Sequence, residues 1–151
     1  MPDETQPVLV VDSAQKRSPA SDRPLLDVAV GLLFREDGRF LLCTRPPGKA
    51  YAGYWEFPGG KLERDEDVVA ALTRELSEEI GVRPTEIAPW KVLVVDYPHA
   101  MVRLHFCKVT GWDGELTMLE GQQFSWELHP VQVQPILPGT IPVLDWLQRP
   151  L

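Results

Sequence analysis

Cysteine is nearly absent from this chain of 151 residues, with Cys43 and Cys107 its only two. That scarcity excludes a disulfide framework and a cysteine-rich zinc site. Each of the two lies in an apolar run (Leu41-Leu42-Cys43 and Leu104-His105-Phe106-Cys107), the setting of a reduced core residue. No stretch of about 18 uncharged apolar residues occurs, and residues 1–10 lack the basic and apolar regions of a secretory signal. A cytoplasmic location is therefore the default expectation. Basic residues are in deficit, 15 Lys+Arg against 22 Asp+Glu, for a net charge of −7. General attraction to a nucleic-acid polymer or an anionic membrane is not expected, so any polyanionic partner requires a local inversion of the field. Histidine is scarce too: His99, His105 and His129 stand in unrelated contexts and none is assigned a catalytic role.

What the chain does have is a hydrophobic content of 44% and a charged content of 25%, the composition of one soluble domain with its own core. Eleven Gly and fifteen Pro indicate many turns. Residues 1–24, rich in Pro, Ser, Asp and Gln with one apolar patch at Val8 to Val11, read as a mobile extension ahead of a domain spanning 25–151. Arg35-Glu36-Asp37-Gly38 between two apolar runs predicts a hairpin. From Val68 to Ile80 the period becomes helical. Val69, Leu72, Leu76 and Ile80 form the apolar stripe, Asp67 is the expected N-cap and Gly81 the left-handed stop. Strands are expected at Trp90 to Asp96, at Met101 to Thr110 and near Ser125 to Leu128. A last helix over Thr140 to Gln148 buries Val143, Leu144 and Leu147. Hairpins mixed with a central helix indicate an α/β (α+β) fold around a mixed sheet.

The central helix carries an unusual feature. Glu75, Glu78 and Glu79 fall at spacings of three and four, within an arc of roughly 100°, although like charges so placed cost a few tenths of a kcal/mol per pair in an isolated helix. A solvated acidic face is the plain explanation of such a pattern in general. Here Gly59-Gly60 lies just upstream, where a backbone carbonyl can add an oxygen ligand, and Arg74 is placed to order the carboxylates by charge-assisted hydrogen bonds. Converging carboxylates offer hard oxygen donors to Mg²⁺ or Mn²⁺, and such a cation supplies the positive field that a phosphate substrate needs.

Gly60, five residues, Glu66, seven residues and then Arg74-Glu75-Leu76-Ser77-Glu78-Glu79-Ile80-Gly81-Val82 resembles the Nudix box, G-x(5)-E-x(7)-R-E-U-x-E-E-x-G-U, with all nine defined positions filled. The resemblance implies a mixed sheet sandwiched between helices and hydrolysis of a nucleoside diphosphate linked to another group. Several flanking segments are similar, in order and spacing, to the MutT-like branch, which removes oxidised guanine nucleotides from the precursor pool of DNA replication. They are Trp55 to Glu63, Asp96-Tyr97-Pro98-His99, Glu120-Gly121-Gln122 before Trp126, and Leu137 to Leu144.

By that resemblance Glu75, Glu78, Glu79, Glu120 and the Gly59 carbonyl hold divalent metal, and Glu75 also orients or deprotonates the attacking water. Glu66 supports the loop, and Arg45 reaches the nucleotide phosphates or sugar. Phe57, beside the glycine pair, is a candidate to face a purine, though an aromatic at a strand end is also ordinary core. The branch carries an Asn just before its closing helix that reads the altered base edge. This chain has Thr140 there, whose hydroxyl cannot present the same bidentate edge and whose plain role is a helix cap. The leading expectation is a Mg²⁺-dependent pyrophosphohydrolase acting on 8-oxo-dGTP, as a monomer or a homodimer. The alternatives are a nucleotide sugar or dinucleotide as substrate, or a non-catalytic nucleotide-sensing module, which intact box carboxylates disfavour.

Overall fold

The computed structural model describes residues 8–11 and 24–149. Its elements in chain order are β1 (Val8–Val11), β2 (Leu25–Leu33), β3 (Phe40–Thr44), β4 (Trp55–Glu56), β5 (Gly59–Lys61), α1 (Val68–Ile80), β6 (Arg83–Asp96), β7 (Met101–Asp113), β8 (Phe124–Glu127) and α2 (Ile141–Gln148). A mixed five-stranded sheet runs β1-β6-β7-β2-β5, and a smaller sheet runs β4-β3-β8. The helices lie on opposite sides of the strands, as the alternation of side chains dictates. Val30 and Leu32 of β2, Leu42 of β3, Leu93 and Val95 of β6 and Phe106 of β7 join Val143 of α2 in one core. Their neighbours Ala29, Leu33, Leu41, Cys43 and Cys107 pack with Leu72, Leu76 and Ile80 of α1 in the other. Both cysteines are buried and free, and burial raises the Cys107 thiol to about 11.

Three expectations are corrected. Val8–Val11 pairs in parallel with Leu93–Asp96 of β6, because an apolar extended segment satisfies the hydrogen-bonding edge that β6 would otherwise leave open. The rest of the expected mobile extension lies outside the described residues. Val69 is 43% exposed; in the first turn of α1 it overhangs the strands, and Ala71 takes the buried place beside Leu72. The turn after β2 closes with Gly38 N–H donating to Arg35 O and Arg35 N–H to Arg39 O. Yet β2 and β3 meet only at the Phe34–Phe40 bridge and then diverge, β2 pairing with β5 and β7 and β3 with β4 and β8. That divergence opens the space into which the Gly59-Gly60 segment runs.

Helix α1 is stopped at both ends as expected. Asp67 is extended (φ −88°, ψ 175°) and accepts from Ala70 N at 2.8 Å, while Gly81 is left-handed (φ 71°) and its N–H caps Leu76 O. The last carbonyls of α1 are met by a distant loop: Thr117 N–H donates to Ile80 O and Leu119 N–H to Glu79 O, each at 2.9 Å. These bonds satisfy groups that a helix end leaves orphaned, and they bring the residues around Glu120 beside the acidic end of α1.

Candidate active site

A cavity of about 500 Å³ opens between the end of β3, β5, α1 and the start of α2. Glu75 and Glu79 line it, as do Arg45, Lys49 and Lys61, so both signs of charge share its walls. Leu26, Val28 and Leu104 give it an apolar side. The helical phase of α1 and two close backbone approaches set the carboxylates here. A Cβ on Gly60 would stand 2.2–2.5 Å from the Glu75 carboxylate, and one on Gly59 would stand 2.0 Å from Ala29 O. Glycine is thus required at both positions, at one to leave room for a functional group and at the other for the sheet.

Arg74 organises the acids as the sequence suggested. Its Nε and Nη2 hold Glu66 in a bidentate pair (2.8 and 2.9 Å), its Nη1 reaches Glu75 at 2.9 Å and Glu78 at 3.4 Å, and Nη2 also donates to Lys61 O. Glu66 further accepts from Glu63 N at 2.7 Å, tying the loop to the helix. The guanidinium holds the Glu66 carboxyl down at about 2, and Arg74 itself is pushed above its ordinary value, chiefly by Glu66. Glu79 behaves in the opposite way. It is 8% exposed and accepts from Gly59 N at 3.0 Å, but burial, reinforced by the nearby carboxylates of Glu75, Glu120 and Glu56, pushes it up to about 8.

The acids are gathered unevenly. Glu75 and Glu79 face the cavity, whereas Glu78 has a side chain 59% exposed, turned to Arg74. Glu120 is exposed, although close enough to Glu79 to raise its pKa. Among the described residues no three acidic, histidine or cysteine side chains form a ready ligand set; Arg74 engages Glu75 and Glu78, and the Gly59 N–H engages Glu79. The donors nevertheless suit a hard divalent cation: all are oxygens, and Glu79 lies among negative charges with no cationic side chain bonded to it among the described residues.

Phe57 is 3% exposed, packs against Phe40 with ring centroids 5.8 Å apart and the rings tilted by 48°, and belongs to the core while also lining the cavity. Thr140 is 4% exposed and also lines the cavity. It occupies the N-cap position of α2, but its side chain makes no capping hydrogen bond, so the plain role expected of it is unfilled. Arg45 sits at the cavity with its guanidinium bonded to Ala50 O and Glu56.

Sequence reasoning missed several residues. Tyr51, Tyr97 and His99 form an aromatic wall, with centroids 5.6 Å apart for the first pair and 5.4 Å for the stacked second pair. Tyr97 and His99 share the connection between β6 and β7, whereas Tyr51 comes from the 45–54 loop, and nothing in the sequence announces its contact with Tyr97. Gln122 bridges the Glu120 loop to α1, accepting from Glu120 N at 3.1 Å and donating to Glu79 O at 3.4 Å. Glu56 is the acid whose signal was available, a lone carboxylate in the otherwise apolar run Trp55 to Pro58.

Comparison with known proteins fits this arrangement. The NUDIX domain family model matches residues 24–147. The chain belongs to the Nudix family. It is a Nudix hydrolase, acting on phosphoric anhydride bonds. An 8-oxo-dGTP diphosphatase of Escherichia coli is 33% identical over 125 residues, covering 82% of this chain and 97% of that protein. A CTP pyrophosphohydrolase of the same organism is 35% identical over 117 residues, covering 77% and 87%. A solved structure from a study of MutT from Aliivibrio salmonicida and Vibrio cholerae superposes with a TM-score of 0.67 at 31% identity, covering 82% of this chain and 96% of that one. The mixed sheet between two helices is the Nudix fold. No helix among the described residues is long and apolar enough to cross a membrane.

Proposed function

We propose that this Nudix hydrolase is a Mg²⁺-dependent nucleoside triphosphate pyrophosphohydrolase that converts 8-oxo-dGTP to its monophosphate and pyrophosphate, clearing an oxidised precursor from the cytoplasmic nucleotide pool. The observation that carries this reading is the sharing of one cavity by Glu75 and Glu79 with Arg45 and Lys49. A nucleotide needs both: cations for its phosphates and acids for the metal that makes them reactive. The relatives that act on nucleoside triphosphates support it.

Glu75, Glu78, Glu79, Glu120 and the Gly59 carbonyl are the residues that would hold Mg²⁺, with Mn²⁺ an acceptable substitute for the same oxygen donors. When bound, the ion neutralises phosphate charge and lowers the pKa of a coordinated water. Around it, Arg74 keeps Glu75 and Glu78 from swinging apart, and Glu66 braces Arg74 against the loop. Glu75, seated over Gly60, orients the attacking water and accepts its proton. Arg45 holds the phosphates, while Phe57 and Thr140 border the base. The net charge of −7 leaves a free nucleotide bridged by metal, and not a nucleic-acid polymer or a membrane, as the partner.

A second reading, a pyrimidine nucleoside triphosphate as preferred substrate, rests on Thr140, which offers a single hydroxyl where a purine edge would use a bidentate group. The similarity to a CTP pyrophosphohydrolase points the same way. Nucleotide product formation, followed chromatographically with Mg²⁺ over 8-oxo-dGTP, dGTP, CTP, ADP-ribose and a dinucleoside polyphosphate, separates the readings. The highest kcat/KM is expected for 8-oxo-dGTP, and Glu79→Gln is expected to lower it on the order of a hundredfold. Preference for CTP selects the second reading, and preference for ADP-ribose or the dinucleotide overturns both. Absence of turnover with every substrate would leave a nucleotide-sensing module.

A further inference from the structure

Arg45 is held at two separate points. Its Nε donates to Ala50 O at 2.6 Å, and its Nη1 lies 3.1 and 3.4 Å from the two Glu56 carboxylate oxygens. Two anchors on different nitrogens of a rigid plane fix both its position and its rotation, and Nη2 is left with no partner among the described residues. The backbone around the pair is equally determined. Arg45 N–H donates to Tyr54 O at 2.9 Å and Gly53 N–H to Arg45 O at 3.0 Å, closing the 45–54 loop at its neck. Glu56 lies opposite Cys43 in the β3–β4 ladder.

A carboxylate beside a phosphate site is otherwise a liability, since it repels the ligand. Glu56 is mostly buried, its side chain 22% exposed. Burial raises its pKa while Arg45, and more weakly Lys49, lower it. A charge so placed is tolerable only with its partner. It stands on the same cavity as Glu75 and Glu79 and close enough to raise Glu79, yet both its oxygens are turned to Arg45 Nη1.

We propose that Glu56 is a positioning residue: together with the Ala50 carbonyl it sets the Arg45 guanidinium at the cavity as a preformed clamp, whose free Nη2 receives the substrate phosphates. This rests on the nucleotide reading above. Preorganisation of this kind avoids ordering a long side chain on binding, so its loss appears in affinity and not in the chemical step.

The test pairs steady-state kinetics on 8-oxo-dGTP and CTP with calorimetric binding of a non-hydrolysable nucleoside triphosphate analogue, using wild type, Glu56→Gln, Arg45→Ala and the double variant. Glu56→Gln is expected to raise KM and the analogue Kd about tenfold with kcat within about threefold, and to add almost nothing when Arg45 is already Ala. A fall in kcat at unchanged KM, or effects that multiply in the double variant, overturns the clamp. If Glu56→Gln does not fold, Arg45→Lys carries the test, because an amine cannot span both anchors; unchanged KM and Kd there overturn the proposal. A wild type that binds the analogue but turns over neither nucleotide defeats the proposed activity alone, and the clamp then stands or falls on Kd. A wild type that binds no analogue overturns both.

Discussion

The two helices are built on different terms. Helix α1 has a side-chain cap at Asp67, a left-handed Gly81 and last-turn carbonyls received by residues 117–122. Helix α2 has only eight residues. Its Thr140 makes no capping bond, Pro142 stands in its first turn and its end at Arg149 is extended. It is seated by packing instead: Val143 is fully buried, with Leu144, Trp146 and Leu147 partly so, and His129 Nε2 lies 2.8 Å from Leu144 O. The difference matches the work at each place. Under the proposed function, acids placed to hold a metal would need a helix that cannot shift, whereas a wall placed to meet a nucleobase would need a polar group left available.

Breaking the acid arrangement without breaking α1 gives the largest expected effect. Gly60→Ala puts a methyl where the Glu75 carboxylate now lies. The tip of a flexible side chain moves aside at small cost to the fold, so kcat/KM should fall on the order of a hundredfold with the thermal midpoint nearly unmoved. Retained activity would show that the seating of Glu75 is unimportant. Next comes the cap itself: Asp67→Ala should cost about 1 kcal/mol of stability, read from the urea midpoint.

The contrast extends to acid. Arg74 lowers Glu66 from 4.5 to about 2, so this carboxylate contributes stability that is complete above pH 4.5 and is lost as pH falls through about 2. Glu66→Gln should therefore flatten that limb when urea midpoints are compared across the window, by a small amount because solvent still reaches and screens the pair. A parallel acid limb in the variant would place the stabilisation elsewhere. A small change in stability is also expected at α2, where Thr140→Val removes no capping bond and should stay within about 1 kcal/mol. The ratio of kcat/KM between 8-oxo-dGTP and CTP should nevertheless move, and a large loss of stability with an unchanged ratio would reverse the roles given to the two helices.

Much of α1 was legible because its signals are local. Cap, stripe and stop fall within a few residues of one another, and only Val69, on the overhanging first turn, escaped the pattern. Helix α2 was legible in extent, but the availability of the Thr140 hydroxyl was not, since Thr at a helix start ordinarily caps. The parting of β2 and β3 was hidden for another reason: a turn signal specifies that the chain reverses, not how far the strands stay paired. Of the candidate site, the carboxylates and Arg74 could be read from helical spacing. Glu56 facing Arg45 depends on the pairing of β3 with β4, and Tyr51 against Tyr97 on a contact between loops.

From its sequence alone the protein was determined to have an α/β fold with two cysteines outside any disulfide, a doubly stopped central helix, and an acid set whose spacing matches one family throughout. Those properties follow from periodicity and from chemistry confined to a few turns of chain. Only the tertiary structure decided that Val8–Val11 closes the edge of β6, that Glu78 and Glu120 lie more exposed than Glu75 and Glu79, and that a buried acid from β4 holds Arg45. Each of these joins segments brought together by the burial of two cores, and no local rule carries the distance between them.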